Sequence, residues 1–180
     1  MYTALRRIGF LLSCFCLLTL TPRAQTNPPG NTVRAALQPV KDRKPAPKLD
    51  LKDAAGRTVS LRDYHGKVVL LDFWATWCTG CKEEIPGFSE LATKYRAKGL
   101  SVVGVAMDDN GWKAITPFLA GTKVSYPILA GDKKTFESFG LKFLPDTFLI
   151  DTQGRIAATY VGLVNSENME ANLKALLAKH

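Results

Sequence analysis

An α/β sandwich built on a central mixed β-sheet is the fold class this sequence predicts, and three observations predict it. Two long apolar runs, Val68-Val69-Leu70-Leu71-Asp72-Phe73-Trp74 and Leu100-Ser101-Val102-Val103-Gly104-Val105-Ala106-Met107, read as strands covered on both faces, like parallel strands in mid-sheet. Between them Ile85, Phe88, Leu91 and Tyr95 recur at three- and four-residue steps, a helical period. Further on, two short β patterns flank Asp151-Thr152-Gln153-Gly154, a turn signal, and a helix-period segment follows. Strand, helix, strand, hairpin, helix in that order describes helices packed on a sheet with both parallel and antiparallel pairs.

The elements follow in chain order. Arg6-Arg7 precede an apolar stretch of 13 residues, Ile8 to Leu20, and Ala24 offers a small residue before Gln25. A membrane span needs about 20 apolar residues. Residues 1–24 are therefore expected to be an export signal. An uncleaved N-terminal anchor and lipid attachment at Cys14, in Leu11-Leu12-Ser13-Cys14, stay open beside it. Residues 25–44 hold Pro28, Pro29, Gly30 and Pro39 among polar side chains, too little apolar surface to offset ordering entropy, and read as a flexible linker or loosely held arm.

The folded domain is expected over 45–180. It opens on an N-terminal β-hairpin, Leu49-Asp50-Leu51 and Thr58-Val59-Ser60-Leu61 around Asp53-Ala54-Ala55-Gly56. After the strand Val68–Trp74, a helix runs from Cys78 to Lys98 and closes at Gly99, with a kink expected at Pro86. The strand from Leu100 leads to a helix from Trp112 to about Leu119 and a brief extended segment, Tyr126–Leu129. A short helix over Lys133–Phe139, a hairpin of Thr147–Ile150 with Arg155–Val161, and a terminal helix over Ser166–Lys179 complete the chain.

Composition excludes some functions. The 180 residues, 46% hydrophobic and 22% charged, suffice for one buried domain and short extras. The formal charge is +8 from 24 basic and 16 acidic residues; without Arg6, Arg7 and Arg23 of the leader, 21 basic residues remain and the charge is +5. The Lys and Arg are scattered, with no basic stripe interleaved with aromatics, which argues against nucleic-acid binding.

Cysteine usage is the sharpest clue. Cys14 and Cys16 fall in the leader, leaving Cys78 and Cys81 to the mature chain. So short a loop recovers little chain entropy, so the pair is a poor structural staple. Zinc would need two more ligands, and neither His65 nor His180 has ligand spacing to the pair, so no metal and no soluble cofactor is expected. Where a strand hands over to a helix, thiols three apart sit on one turn with Cα atoms roughly 5 to 6 Å apart, within disulfide reach. Cys78, at the helix N-terminus, would have its thiolate stabilised by free backbone N–H groups and the helix dipole. It is the expected nucleophile; Cys81, one turn inward, is the expected resolving thiol. Asp72 interrupts a strand otherwise apolar on both faces, so burial should raise its pKa and suit it to accept the Cys81 proton. Glu84 follows Cys81 by three residues on the same helical face and is either a second proton-handling acid or a solvated helix glutamate like Glu83.

The segment Asp72-Phe73-Trp74-Ala75-Thr76-Trp77-Cys78-Thr79-Gly80-Cys81-Lys82 resembles the thioredoxin active-site segment, and Leu144-Pro145-Asp146-Thr147-Phe148-Leu149-Ile150-Asp151 resembles its partner loop. The run Cys81-Lys82-Glu83-Glu84-Ile85-Pro86, the opening Ala46-Pro47-Lys48-Leu49 and Gly66-Lys67-Val68-Val69-Leu70-Leu71 are similar to the TlpA/ResA-like branch of thiol-disulfide oxidoreductases, over about residues 45 to 178. The resemblance implies a thioredoxin-like three-layer α/β/α sandwich and a semi-buried Glu84 that tunes the site. It also implies a cis peptide at Pro145, so that Leu144 offers its backbone to an extended substrate. Trp77 is expected to shield one side of Cys78 and to bind substrate, while Trp74 packs in the core. At position 72 that branch often carries Asn, and Asp is the thioredoxin choice. Thr79-Gly80 departs from the frequent proline-containing dipeptides and leaves the potential open over roughly −270 to −120 mV.

The resemblance further implies a monomer outside the cytoplasm, kept reduced by a membrane thiol-disulfide electron donor and reducing cysteine-containing proteins such as apocytochrome c. Two other classes share the fold or the pair. A thiol peroxidase would carry its peroxidatic cysteine earlier in the segment, and a non-catalytic thiol or metal-delivery module would need a third ligand near it.

Overall fold

A computed structural model describes residues 31–178. The leader expected over 1–24, with its alternatives, lies outside those residues. Among them, no helix is long and apolar enough to cross a membrane.

Seven strands form one mixed sheet. β1 (Asp50–Lys52) and β2 (Thr58–Ser60) are the N-terminal hairpin; β3 (Val68–Trp74), β4 (Leu100–Ala106) and β5 (Ile128–Ala130) are parallel; β6 (Asp146–Ile150) and β7 (Ile156–Val161) are a second hairpin. The spatial order is β2-β1-β5-β4-β3-β6-β7, with β6 antiparallel to β3. Every residue of β3 is buried, which explains its uninterrupted apolar run: it lies mid-sheet with side chains on both faces.

Four helices cover the sheet. α1 (Thr79–Tyr95) connects β3 to β4, and α2 (Trp112–Gly121) connects β4 to β5. Both crossovers step the same way across the sheet, so a common right hand places both helices on one face. There Ile85, Phe88, Ile115 and Trp74 pack together with Met169 and Leu173 of α4 (Ser166–Leu177). The other face packs Leu51, Leu71 and Phe73 against Phe139 and Leu141, at the end of α3 (Lys133–Ser138). Here the rings of Phe73, Phe139 and Phe148 meet pairwise at centroid distances of 4.9 to 5.7 Å. Each fully buried side chain of this kind contributes about 1.5 to 3 kcal/mol. α1 runs through Pro86 although that residue supplies no N–H, and it ends in a 3₁₀ turn at Arg96–Lys98 with Gly99 at φ 92°.

One expectation is corrected. Of residues 25–44, read as a flexible linker or loosely held arm, 25–30 lie outside the described residues and 31–44 are fastened along the β7 edge. Gln38 N–H donates to Ala157 O at 2.8 Å, and Ile156 N–H donates to Lys44 O at 2.8 Å. Arg43 is buried on Asp151, Nη1 to Oδ2 at 3.1 Å, where Arg155 also pairs at 2.8 Å. Composition missed this because the arm buries little of its own; its polar groups are satisfied by a sheet edge and a carboxylate far away in sequence.

Candidate active site

The loop after β3 is pinned before it reaches the first thiol. Met107 N–H donates to Trp74 O at 2.7 Å. The buried carboxylate of Asp108 accepts the Thr76 N–H at 3.1 and 3.2 Å and the Thr76 hydroxyl at 2.6 Å. Cys78 then caps α1, its Sγ accepting the Cys81 N–H at 3.2 Å. The two cysteines form a disulfide with Cα atoms 5.3 Å apart. Cys78 is 8% exposed and Cys81 only 1%, so Cys78 faces the solvent side of the pair.

Gly80, within this turn, faces two neighbours: a Cβ on it would lie 3.8 Å from Leu163 Cδ1 and 4.0 Å from Pro145 Cδ. Pro145 thus packs against the redox turn, and the Leu144–Pro145 peptide is cis. Trp77 is 67% exposed. It lines an open groove of about 760 Å³ with Met107, Asp109, Phe136, Phe143 and Leu144.

On the α1 side of the sheet, in the layer where Cys81 packs, lie two buried carboxyls. Asp72 shares its face of β3 with Leu70 and Trp74, which pack in the same cluster as Cys81. The Thr147 hydroxyl donates to Asp72 Oδ1 at 3.4 Å, while Oδ2 has no partner among the described residues. Burial holds the Asp72 pKa well above the ordinary carboxylate range, and the nearby Glu84 charge adds to that. Glu84, one turn beyond Cys81, is 8% exposed and accepts the Val164 N–H on Oε1 at 2.6 Å. Burial pushes its pKa up to about 7; the Val164 bond opposes the rise and the Glu83 charge assists it.

The Glu84 charge bears on Asp72, and both acids bear on a third group. The buried Tyr126 hydroxyl has no partner among the described residues, and its pKa is raised by burial and then by the charges of Asp72 and Glu84. Asp146, directly after Pro145, is buried on the opposite face, which it shares with Phe148 and Ile150, and burial alone raises it to about 6. The fold therefore gathers Cys78, Cys81, Asp72, Glu84 and Pro145, and sets Trp77 and Leu144 at the rim. Sequence reading assigned no role to Asp108, Tyr126 or Asp146. Asp108 had a findable signal, a carboxylate ending an apolar strand; Tyr126 and Asp146 gave none, because their neighbours come from distant strands.

The family model described as AhpC/TSA matches residues 43–159. The chain belongs to that family. Relatives are named for their chemistry. The thiol-disulfide oxidoreductase ResA of Bacillus thuringiensis (strain Al Hakam) is 34% identical over 135 residues, covering 74% of this chain and 77% of the relative. ResA of Bacillus subtilis (strain 168) is 30% identical over 157 residues, covering 87% and 83%. Among solved structures, one described as thiol:disulfide interchange protein DsbE from Chlorobium tepidum matches with TM-score 0.70 and 31% identity, over 81% of this chain and 99% of that one. This AhpC/TSA member is thus a protein-disulfide oxidoreductase of the ResA and DsbE type, with a thioredoxin-like fold and a Cys78–Cys81 pair.

Proposed function

We propose that this oxidoreductase works outside the cytoplasm and reduces disulfides in partner proteins such as apocytochrome c, receiving its electrons from a membrane thiol-disulfide donor. The single observation that carries the mechanism is the asymmetry of the pair: Cys78 caps a helix and is the more exposed thiol, while Cys81 is sealed in the layer between α1 and the sheet that also holds two raised carboxyls. The Cys78 thiolate attacks a partner disulfide, forming one S–S bond and releasing one partner thiolate. Cys81 then gives its proton to the Asp72 and Glu84 pair and attacks Cys78 Sγ, forming the Cys78–Cys81 disulfide and releasing the second partner sulfur. Two electrons pass to the partner, and both leaving thiolates take up protons, one of them by way of the buried acids. Asp72 and Glu84 act as a coupled pair, so the proton belongs to both.

Trp77 and Leu144, at the rim of the groove, are the proposed contacts for the partner chain, beside Pro145. Support for the reducing direction is the likeness to the TlpA/ResA branch; the Thr79-Gly80 dipeptide sets the potential through the helix's first turn.

The test is capture. Cys81→Ala, expressed with the native leader, should accumulate mixed disulfides with extracytoplasmic cysteine proteins, and Cys78→Ala should trap none. Efficient exchange by the Cys78→Ala protein, or peroxide turnover without any protein disulfide, would overturn the reading.

A further inference from the structure

Val33, Ala35 and Leu37 of the arm pack against the cluster that holds Cys78 and Cys81, and Val33 pairs with Val164, whose N–H the Glu84 carboxyl accepts. Val33 pairs with Val164 as in a parallel ladder: Val33 N–H donates to Leu163 O at 2.7 Å, and Asn165 N–H donates to Val33 O at 2.9 Å. In an extended segment successive residues turn their N–H and C=O groups to opposite sides. With Leu163 and Asn165 turned to the arm, Val164 must turn its N–H the other way, and there it meets Glu84 Oε1 at 2.6 Å.

The clasp has further fastenings. Arg34 Nη1 donates to Asn165 Oδ1 at 3.1 Å, and Asn165 Nδ2 donates to Thr32 Oγ1 at 3.3 Å. Ala35 N–H donates to Asn168 Oδ1 at 2.9 Å, and Asn172 Nδ2 donates to Ala35 O at 2.8 Å. The segment it holds begins at Gly162, φ 110°, a conformation that only glycine adopts freely, and a Cβ there would lie 3.5 Å from Val33 Cγ1. Leu163 meanwhile faces Gly80 of the redox turn.

We infer that residues 32–35 are a positioning element of the redox site: clasping Leu163 and Asn165 from outside, they aim the Val164 N–H at the Glu84 carboxyl and keep Leu163 against the Cys78–Cys81 turn. The geometry stands by itself; its catalytic consequence rests on the proton-handling role proposed above for Glu84. The Val164 N–H is the one hydrogen bond to this carboxyl among the described residues, and it favours the charged form. Glu84 otherwise faces Asp72 from β3, Tyr126 from the segment before β5 and Glu83 on its own helix, with Glu90, Lys94 and Glu170 around the cleft between α1 and α4. Arg34, the arm's cation at the clasp, bonds Asn165 rather than Glu84, so the arm acts through Val164 and not through its own charge.

The experiment titrates the Glu84 carboxyl by carbon NMR in the oxidised full chain, and measures the pH profile of disulfide exchange beside it. Val33→Pro deletes the N–H that Leu163 O accepts. The Glu84 midpoint should rise by about half a pH unit or more, since a donor to the charged form is loosened. The acid limb of the exchange profile should move to higher pH with it, and Glu84→Gln should abolish that movement. Arg34→Ala combined with Asn168→Ala removes only bonds between arm and domain, so it tests the same point without a proline. It should expose the Asn165 amide to exchange and shift the midpoint in the same direction. An unmoved Glu84 midpoint in Val33→Pro, or with the Asn165 amide freed, would overturn the inference, as would an equal profile shift in the Glu84→Gln background. A midpoint that moves while the exchange profile stays put would leave the clasp standing and remove Glu84 from proton handling.

Discussion

Glu83 and Glu84 are chemically identical neighbours on α1, yet one is exposed and the other is buried on a backbone N–H eighty residues away in sequence. Burial has a thermodynamic consequence. The Glu84 pKa stands at about 7 folded against 4.5 for the free side chain, so between these values the folded protein holds a proton that the unfolded chain has lost. Stability from this group is therefore full below about pH 4.5 and falls as pH rises through 7. Glu84→Gln removes the loss. Urea unfolding should show the variant gaining on the parent from pH 4.5 to pH 8, by about 3 kcal/mol at the upper end; a gain independent of pH would contradict the assignment. The place of Glu84 was legible from its three-residue step after Cys81, and that of Asp72 from its interruption of an apolar strand. The Val164 contact and the burial of Asp146 were not, because strand pairing and loop closure between distant segments create both.

At the scale of elements, β3 and β4 were readable within a residue and α1 within three, its last turn tightening to 3₁₀, because their periodicity is long and their ends are marked. Gly104 looked like an ordinary member of an apolar run. It lies opposite Asp72 in the β3–β4 ladder, and a Cβ there would come within 2.6 Å of Ile128 Cδ1, 3.0 Å of Trp74 Nε1 and 3.1 Å of Tyr126 Cε2. Its missing side chain is the space that lets Trp74 and Tyr126 close over the buried acids. Gly104→Ala should cost about 1 to 3 kcal/mol by overpacking and change the near-ultraviolet circular dichroism of the two aromatic rings. An unaltered spectrum with unaltered stability would show that Ile128 alone yields. β5 begins at Ile128 rather than Tyr126, since Pro127 has no N–H for the ladder; its carbonyl instead accepts the Gly104 N–H at 2.9 Å.

Across the whole molecule, the arm closes what the sheet leaves open. β7 is an edge strand, and residues 38–44 occupy part of its free hydrogen-bonding edge, a protection that edge strands need against pairing with other chains. The fastening at the far end from the clasp is Asp151, whose carboxylate accepts the Gln153 and Arg155 N–H groups at 3.0 and 2.9 Å and pairs with both Arg43 and Arg155. Removing one partner of a buried ion pair leaves a charge under-compensated. Arg43→Met should therefore cost about 2 kcal/mol, less than a lone pair would because Arg155 remains, and should open residues 31–44 to proteolysis. Stability and cleavage rate both unchanged would show that the backbone bonds alone hold the arm.

The sequence by itself determined the fold class, the order of the elements and the redox pair, and it pointed to Asp72 and Glu84 as acids on one side of the sheet. Those features are written in local periodicity, in cysteine spacing and in single polar residues set among apolar ones. Only the tertiary structure decided what surrounds them. The Val164 donor to Glu84, the Asp108 anchor of Thr76, the Tyr126 hydroxyl near both acids and the arm on β7 join segments 32 to 119 residues apart. Such contacts come from the register of non-neighbouring strands and from backbone groups whose donors and acceptors are the same for every residue, so side-chain identity along the chain cannot announce them.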